Sequence, residues 1–178
     1  MFNTFKKLAI PALCLILATT TVYKVTEYRF NELRNDEYSI NFVTAKERDR
    51  QLTCLARNIY YESASEPFEG KVAVAQVTLN RAASGQFPSD ICGVVYQKNR
   101  VVEKTVCQFS WYCNSPSTLK VKSPVLYNES MEVAKKVLLE NFRLDGLREA
   151  MYYHADYVHP GWKKKKLVQI GHHIFYKG

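Results

Sequence analysis

Apolar residues recur at helical spacing on both sides of a short break in the first half of the chain. Before the break, apolar side chains within 44–61 repeat every three or four positions, and those within 67–83 do the same after it. Thr44 suits the N-cap of the first helix, and Pro67 suits the first turn of the second. Gly85 is a natural residue just past a helix end. The pattern therefore predicts two helices, 44–61 and 67–83, joined by a short turn.

Weaker patterns follow the second helix. A short helix is predicted over 91–97, where Ser89 or Asp90 can act as its cap, and an irregular hairpin or loop is predicted over 98–113. Ser123-Pro124 opens a further helix that has one mainly apolar face. These segments add helix and loop to the pattern, but no long strand.

Strand-forming residues cluster near the C-terminus, at 151–153 and 173–176, and predict a small terminal antiparallel β-sheet. A length of 178 residues suits one domain with a tail. The expected fold class is therefore α+β and mostly helical, with residues 44–178 forming one domain.

The N-terminus has the pattern of an export signal. Lys6 and Lys7 precede an uncharged, mainly apolar run over residues 8–23. Its apolar core is shorter than the ~20 residues of a comfortable spanning helix, but no clean small-x-small cleavage site follows it, since Ala18-Thr19-Thr20 is a poor match. Residues 1–23 are therefore interpreted as an uncleaved signal-anchor that holds the protein at the membrane, outside the cytoplasm; cleavage and release is the alternative. Residues 24–43 are polar and predict a tether.

Four cysteines lie beyond this segment: Cys54, Cys92, Cys107 and Cys113. An even count behind an export signal favours disulfides, and four cysteines allow three pairings. The pairing favoured here joins Cys107 to Cys113 around a small loop and Cys54 to Cys92 across a longer one. Buried free thiols are an alternative. Zinc binding is another, although the C-x-x-C spacing is absent.

Two carboxylates mark the break between the first two helices. Glu62 ends the first helix beside Tyr61, with Phe68 close behind in sequence, and a desolvated carboxyl in such a setting has the raised pKa of a general acid. A solvated glutamate at a helix end is the alternative. Glu66 precedes Pro67 and could cap the second helix, or serve as a second catalytic carboxylate.

Several short motifs, in order along the chain, resemble one known family. They are Glu62-Ser-Ala-Ser-Glu66-Pro, Glu69-Gly70, Ala73-Val74-Ala75, Asn80-Arg81, Phe87-Pro88, Cys92-Gly-Val-Val-Tyr-Gln97, Cys107-Gln-Phe-Ser-Trp111, Tyr153-His154, Pro160-Gly-Trp162 and Ile170-Gly-His-His173-Ile-Phe175-Tyr176. Over about residues 52–177 the chain resembles the SleB/CwlJ family of spore-cortex-lytic cell-wall hydrolases. It departs from that family at Ser63 and Ser65, where Ala-Arg-Gly-type residues are common.

The resemblance implies a lysozyme-like catalytic domain that acts on peptidoglycan. The implied reaction is that of a lytic transglycosylase, which cleaves between N-acetylmuramic acid and N-acetylglucosamine with Glu62 as the one catalytic acid and without metal or cofactor. The alternatives are a muramidase that also uses Glu66, an N-acetylmuramoyl-L-alanine amidase, and a wall-binding or scaffold protein. Peptidoglycan and, through the N-terminal segment, the membrane are the expected partners, and nucleic acid is not.

Six further residues are candidates for substrate binding: Gln76, Ser110, Trp111, Tyr153, His154 and His173. Gln76 and Asn80 share one face of the second helix, where polar groups either line a cleft or satisfy buried backbone; Asn80 is assigned the structural role. Ser110 and Trp111 are expected to face a sugar-binding groove, with Phe109 partly in the core.

Tyr153, His154 and His173 are expected to orient Glu62 or to bind substrate from the terminal sheet. With Asp156 and the neighbouring histidines they also suggest a zinc site, but no His-Glu-x-x-His helix is present. The formal charge of +8 and the run Lys163–Lys166 favour an anionic partner such as wall polymer, although a solvated basic surface explains them equally well.

Overall fold

The computed structural model describes residues 19–21, 23, 24, 44–102, 104–113 and 120–178. The chain divides into two compact units, Met1–Asn41 and Phe42–Gly178. The predicted signal-anchor and tether lie almost wholly outside the described residues. Among the residues that are described, no helix is both long and apolar enough to cross a membrane.

Within the described part of the second unit, four α-helices, five strands and one 3-10 helix follow one another. In chain order they are α1 (Ala45–Ser63), α2 (Phe68–Ala83), α3 (Ile91–Val95), β1 (Lys98–Val101), β2 (Lys104–Cys107), the 3-10 helix (Ser110–Cys113), α4 (Pro124–Leu139), β3 (Ala150–Ala155), β4 (Lys166–Ile170) and β5 (His173–Lys177).

The helix starts agree with the expected capping residues. The Thr44 hydroxyl accepts a hydrogen bond from the Glu47 backbone N–H at 3.1 Å, and the Asp90 carboxylate accepts one from Gly93 at 3.0 Å. The Ser123 hydroxyl does the same for Leu126 at 3.4 Å. Each bond satisfies an N–H group that has no partner inside its helix, and so local sequence fixes where α1, α3 and α4 begin.

The region predicted as irregular contains a regular hairpin. Strands β1 and β2 pair antiparallel, with Lys98 opposite Cys107, and the 3-10 helix follows directly. Helix α3 ends at Val95, two residues before the expected Gln97.

The terminal sheet is antiparallel as predicted, but it has three strands in the order β3-β5-β4. Strand β4 was not expected because its first residue, Lys166, belongs to the lysine run, which reads as a loop. In the central pair, Tyr153 of β3 lies opposite Phe175 of β5.

Helix α2 is the centre of the domain. Its Val74 and Val77 pack with Leu147, Ala150 and Phe175 in one fully buried cluster. The same helix contacts α1, α3 and α4. The fold is the mostly helical α+β class that the sequence predicts, and α2 places the end of α1 beside the terminal sheet.

Both disulfides have the favoured pairing. The Cys54–Cys92 bridge joins α1 to α3, with Cα atoms 5.2 Å apart. The Cys107–Cys113 bridge joins β2 to the end of the 3-10 helix, with Cα atoms 5.7 Å apart. The first bridge lies in the helical frame, whereas the second closes the short segment that carries residues 108–112.

Candidate active site

One cleft of about 410 Å³ brings the end of α1 together with α2, β3 and the segment after β2. Its described lining residues are Glu62, Arg81, Cys107, Gln108, Phe109, Ser110, Tyr152, Tyr153 and Trp162. Helix α1 ends in the cleft wall, so that the carboxylate of its last turn faces groups from the C-terminal sheet.

Glu62 is the acidic group of this cleft. Burial raises the pKa of its carboxyl above the ordinary value of 4.5, and a hydrogen bond from Tyr153 and the charge of Arg81 oppose that rise without cancelling it. The Tyr153 phenol donates to Glu62 Oε2 at 2.9 Å. A carboxyl of this kind holds its proton to higher pH than a solvated glutamate and can give it to a bound group.

Tyr153 is fixed by the sheet and by two rings. The ring of His173 lies edge-on at 5.1 Å, and the ring of Phe175 lies at 5.5 Å. Burial, followed by the neighbouring charge of Glu62, raises the pKa of Tyr153 well above its ordinary value. The phenol therefore stays neutral and can donate a hydrogen bond to the Glu62 carboxylate. The expectation that Tyr153 orients Glu62 agrees with this contact.

Arg81 is a buried cation in the same wall. It is 4% exposed, and its Nε donates to the Met151 carbonyl at 2.8 Å. The rings of Phe87 and Phe109 each lie 5.3 Å from the guanidinium carbon. Within the described residues, its Nη1 has no hydrogen-bond partner. A buried, incompletely paired cation favours a negative charge nearby, and the charge of Arg81 lowers the pKa of Glu62.

Sequence reasoning named Arg81 only as part of a motif and gave it no role. A signal was nevertheless present. Val74 and Val77 lie on the buried face of α2, and Arg81 follows Val77 by one helical turn on that face. A charge that continues an apolar stripe is a candidate functional residue.

Trp111 does not face the cleft, and that prediction was wrong. The indole is 7% exposed, its Nε1 donates to the buried Asn58 Oδ1 at 3.2 Å, and its ring stacks on Tyr61 at 4.5 Å. Phe109 is buried against Arg81, as expected, while Ser110 is exposed and lines the cleft. The indole therefore belongs to the interior, because it satisfies a polar group of α1.

Gln76 is also structural rather than substrate-binding. Its Nε2 donates to the Leu144 carbonyl at 3.3 Å, and its Oε1 accepts from the Leu144 N–H at 2.9 Å. The side chain is buried, and the backbone of Leu144 satisfies both its amide nitrogen and its amide oxygen. Asn80 has the structural role expected of it, because its Nδ2 donates to the carbonyls of Leu147 and Ala150 at 2.8 Å each.

Glu66 lies outside the cleft and does not cap α2. Pro67 is the N-cap residue of α2, and no side chain caps that end. Instead, Glu66 Oε2 accepts from the His172 N–H at 2.9 Å. Gly171 (φ +55°) makes this possible, because an added Cβ would clash with Glu66 Oε2. Glu66 therefore fastens the β4–β5 turn to the α1–α2 junction.

The histidines do not line the cleft either, as far as its described lining shows. His154 Nδ1 lies 2.9 Å from the Ala155 carbonyl, and Nε2 lies 2.9 Å from the Tyr176 hydroxyl. His173 is buried, and burial lowers its pKa. The structure thus gives His173 a packing contact with Tyr153, and it gives His154 partners within the sheet. In the parts of the chain that the structure describes, no group of three or more potential ligands is arranged for a metal.

A model of a known protein family matches most of this domain. The model described as Cell Wall Hydrolase matches residues 65–176. The chain belongs to the cell wall hydrolase family. The match begins three positions after Glu62, and so the case for that residue depends on its place in the cleft.

Individual relatives within this family are spore cortex-lytic enzymes. The enzyme from Bacillus cereus is 30% identical over 127 residues, which cover 69% of this chain and 42% of the relative. The enzyme from Bacillus subtilis is 28% identical, over 71% of this chain and 37% of the relative. The chain therefore spans about two fifths of the length of these curated relatives.

Two solved structures share the fold of this cell wall hydrolase. The catalytic domain of Bacillus cereus SleB has a TM-score of 0.53 and 24% identity, and covers 72% of this chain and 91% of that one. The catalytic domain of the germination-specific lytic transglycosylase SleB from Bacillus anthracis has a TM-score of 0.54 and 23% identity, with 79% and 100% covered. Together they confirm the expected fold class.

Proposed function

We propose that this cell wall hydrolase is a lytic transglycosylase that cleaves the glycan chain of peptidoglycan between N-acetylmuramic acid and N-acetylglucosamine. The observation that carries the proposal is the charge pattern of the cleft. Among its described lining residues, Glu62 is the one carboxylic acid, and it has a raised pKa, a phenol donor and a nearby buried cation. A single acid that can also act as a base is sufficient for transglycosylation.

In the first step, the protonated Glu62 gives its proton to the glycosidic oxygen and the bond to C1 of the muramic acid breaks. Burial keeps this proton available. The substrate's own acetamido group meets the positive charge that develops at C1. The leaving sugar departs with the proton of Glu62 as its new hydroxyl hydrogen.

In the second step, Glu62 is a carboxylate and acts as the base. The Tyr153 phenol donates to it, and the charge of Arg81 stabilises it. The carboxylate takes the proton from the C6 hydroxyl of the muramic acid, and O6 closes on C1. The product is a 1,6-anhydro end, and Glu62 has recovered its proton for the next cycle.

The position of Glu66 disfavours the two-carboxylate muramidase. A second carboxylate would have to reach a water or the anomeric carbon on the far side of the sugar. Glu66 is buried, accepts from the His172 backbone and is absent from the described lining of the cleft. We therefore assign it a structural role.

Export of the domain is part of the proposal. Two disulfides are typical of an oxidising compartment, and peptidoglycan lies outside the cytoplasm. Membrane attachment through residues 8–23 stays a prediction, since these residues lie almost wholly outside the described part of the chain.

The test is a digest of purified peptidoglycan with the full chain, followed by mass spectrometry of the products. Anhydro ends are expected, and Glu62→Gln serves as the control that should give none. Reducing ends would indicate a muramidase, free stem peptides an amidase, and bound but uncut peptidoglycan a wall-binding protein. A parallel digest after chelation should proceed at the same rate, whereas a loss restored by zinc would favour the amidase.

A further inference from the structure

Trp162 is a large aromatic side chain left exposed at the cleft that contains Glu62. It is 42% exposed and lines the cleft. A single exposed aromatic residue elsewhere on the surface is ordinary. At the lining of a cleft, the same exposure leaves a broad apolar face available to a ligand.

Three rings hold this indole in place. Its centroid lies 6.0 Å from Tyr152, 5.6 Å from His154 and 5.9 Å from Tyr176, with interplanar angles of 67°, 80° and 84°. His154 and Tyr176 are themselves stacked at 24° and joined by a 2.9 Å hydrogen bond. The indole is therefore oriented before any ligand arrives, which lowers the entropy lost on binding.

The backbone around Trp162 is also fixed. Gly161 has a positive φ of 66°, a conformation that glycine adopts readily and that turns the chain just before the indole. On the other side, the Lys164 ammonium lies 3.6 Å from the centroid of the Tyr152 ring, and the Lys177 N–H donates to the Lys165 carbonyl at 2.9 Å. The segment between β3 and β4 is thus anchored on the same wall of the cleft as Tyr152.

We infer that Trp162 is the sugar-stacking residue of this cleft, and that it binds the apolar face of an N-acetylated pyranose ring of the glycan chain. This inference rests on the proposed function for the identity of the sugar. One face of a pyranose carries mainly C–H groups, and a flat indole buries such a face well. Trp162 thereby takes the role that the sequence suggested for Trp111, with Ser110 supplying a polar group on the same lining.

The inference can be tested by binding without turnover. Glu62→Gln is titrated with soluble glycan strands of alternating N-acetylglucosamine and N-acetylmuramic acid, and affinity is measured by calorimetry. The chain has two tryptophans, of which Trp111 is buried, so a change of intrinsic emission that disappears in Trp162→Ala reports Trp162. We expect a clear emission change, and we expect Trp162→Ala in the same background to bind about tenfold more weakly, equivalent to about 1.4 kcal/mol.

Tyr157→Ala is the matched control. Tyr157 lies between the same two strands and is 81% exposed, but it is not part of the described cleft lining. We expect its affinity to be unchanged, and Trp162→Phe, which keeps a ring, to recover part of the loss. The inference is overturned if Trp162→Ala binds like its parent, if Tyr157→Ala weakens binding equally, or if saturating strands leave the emission unchanged.

Binding and cleavage separate the two proposals. Strands that change the Trp162 emission but are not cut by the unmodified enzyme would contradict the proposed function and leave the stacking role intact. Normal cleavage by Trp162→Ala with an unchanged KM would contradict the stacking role and leave the proposed function intact. Melting curves of Trp162→Ala and Trp162→Phe show whether either change has destabilised the fold.

Discussion

The end of α1 and the junction before α2 carry two glutamates four positions apart, and these two residues have different surroundings. Glu62 opens onto a cleft and accepts one phenol hydrogen bond from Tyr153. Glu66 is buried against a turn and accepts a backbone N–H from His172. Glu66 also lines a pocket, between α2 and α4, but among the described lining residues only Glu62 shares its cleft with Tyr153 and Arg81.

Of the two glutamates, Glu62 is expected to give the largest effect when it is changed. Glu62→Gln should lower peptidoglycan cleavage by at least ~10²–10⁴-fold, the usual contribution of a general acid, and to below detection if the residue acts in both steps. The amide keeps the shape and can still accept from Tyr153. Loss of turbidity of a wall suspension measures the rate, and a melting curve checks the fold. Near-normal activity would refute the assignment.

The two disulfides allow a second comparison, between the helices α1 and α3 and the segment that lines the cleft. Cys54→Ser opens the bridge between α1 and α3, which spans 38 positions, and should cost toward the upper part of ~2–5 kcal/mol in the free energy of unfolding. Cys107→Ser opens a bridge that spans 6 positions. It should cost less than the ~3 kcal/mol of a 15-residue loop, but it should lower activity more, because Gln108 and Ser110 line the cleft.

Denaturant unfolding and initial cleavage rates of the two serine variants separate these effects. Equal losses of activity at equal losses of stability would remove the distinction between the bridges. Non-reducing peptide mapping of protein made in an oxidising compartment provides the control for pairing. Four free thiols in fully active enzyme would contradict both the bridges and the case for export.

Glu66→Gln should affect stability rather than catalysis. The substitution disturbs the buried hydrogen bond from the His172 N–H, and a loss of this kind costs ~1–3 kcal/mol. We expect a lower melting temperature and a cleavage rate within a few-fold of the unmodified enzyme at a temperature where both are folded. If activity falls as far as in Glu62→Gln while stability is unchanged, the two-carboxylate mechanism becomes the better one.

The smallest effect is a shift of the pH profile. Tyr153→Phe removes a hydrogen bond that lowers the pKa of Glu62, so that pKa should rise further. Because the first step needs the protonated acid, the alkaline limb of kcat/KM should move to higher pH. The rate maximum should fall, because the carboxylate of the second step loses its donor. A limb that stays in place or moves to lower pH would contradict this role of Tyr153.

Stability gives an independent check on the raised pKa of Glu62. The folded protein binds this proton more tightly than the unfolded chain, so stability should decrease as the pH rises from about 4.5 through the folded pKa. Glu62→Gln lacks this group and should not show that part of the decrease. The measurement is the free energy of unfolding of both proteins from pH 4 to pH 8, and an equal pH dependence in the two would contradict the raised pKa.

The parts predictable from sequence are those set by nearby residues. Thr44, Asp90 and Ser123 cap their helices through atoms three positions away, and apolar spacing gives α1 and α2. Family resemblance supplied the place of Glu62 in the motif. The end of the short helix at Val95 was less well predicted, because a five-residue helix gives little pattern to read. Strand β4 was missed because its first residue belongs to a run of lysines.

The parts that could not be predicted depend on distant backbone. The Gln76 side chain forms hydrogen bonds with the backbone of Leu144, 68 positions away. No pattern of side chains in the sequence predicts a backbone partner at that distance. The two tryptophans look equivalent in the sequence. Trp111 is buried and donates a hydrogen bond to Asn58, 53 positions away. Trp162 follows the turn at Gly161 and is partly exposed.

The hydrogen bond between Tyr153 and Glu62 also bears on the stage of synthesis at which the cleft can form. Its two partners are 91 positions apart, and those of the Glu66–His172 contact are 106 apart. A chain is made from its N-terminus, and domains generally fold as units once their parts are available. The acid is therefore synthesised long before its phenol, and a nascent chain that stops short of β3 carries Glu62 without the group that orients it. We therefore expect no cleavage of peptidoglycan until β3 has packed beside the end of α1.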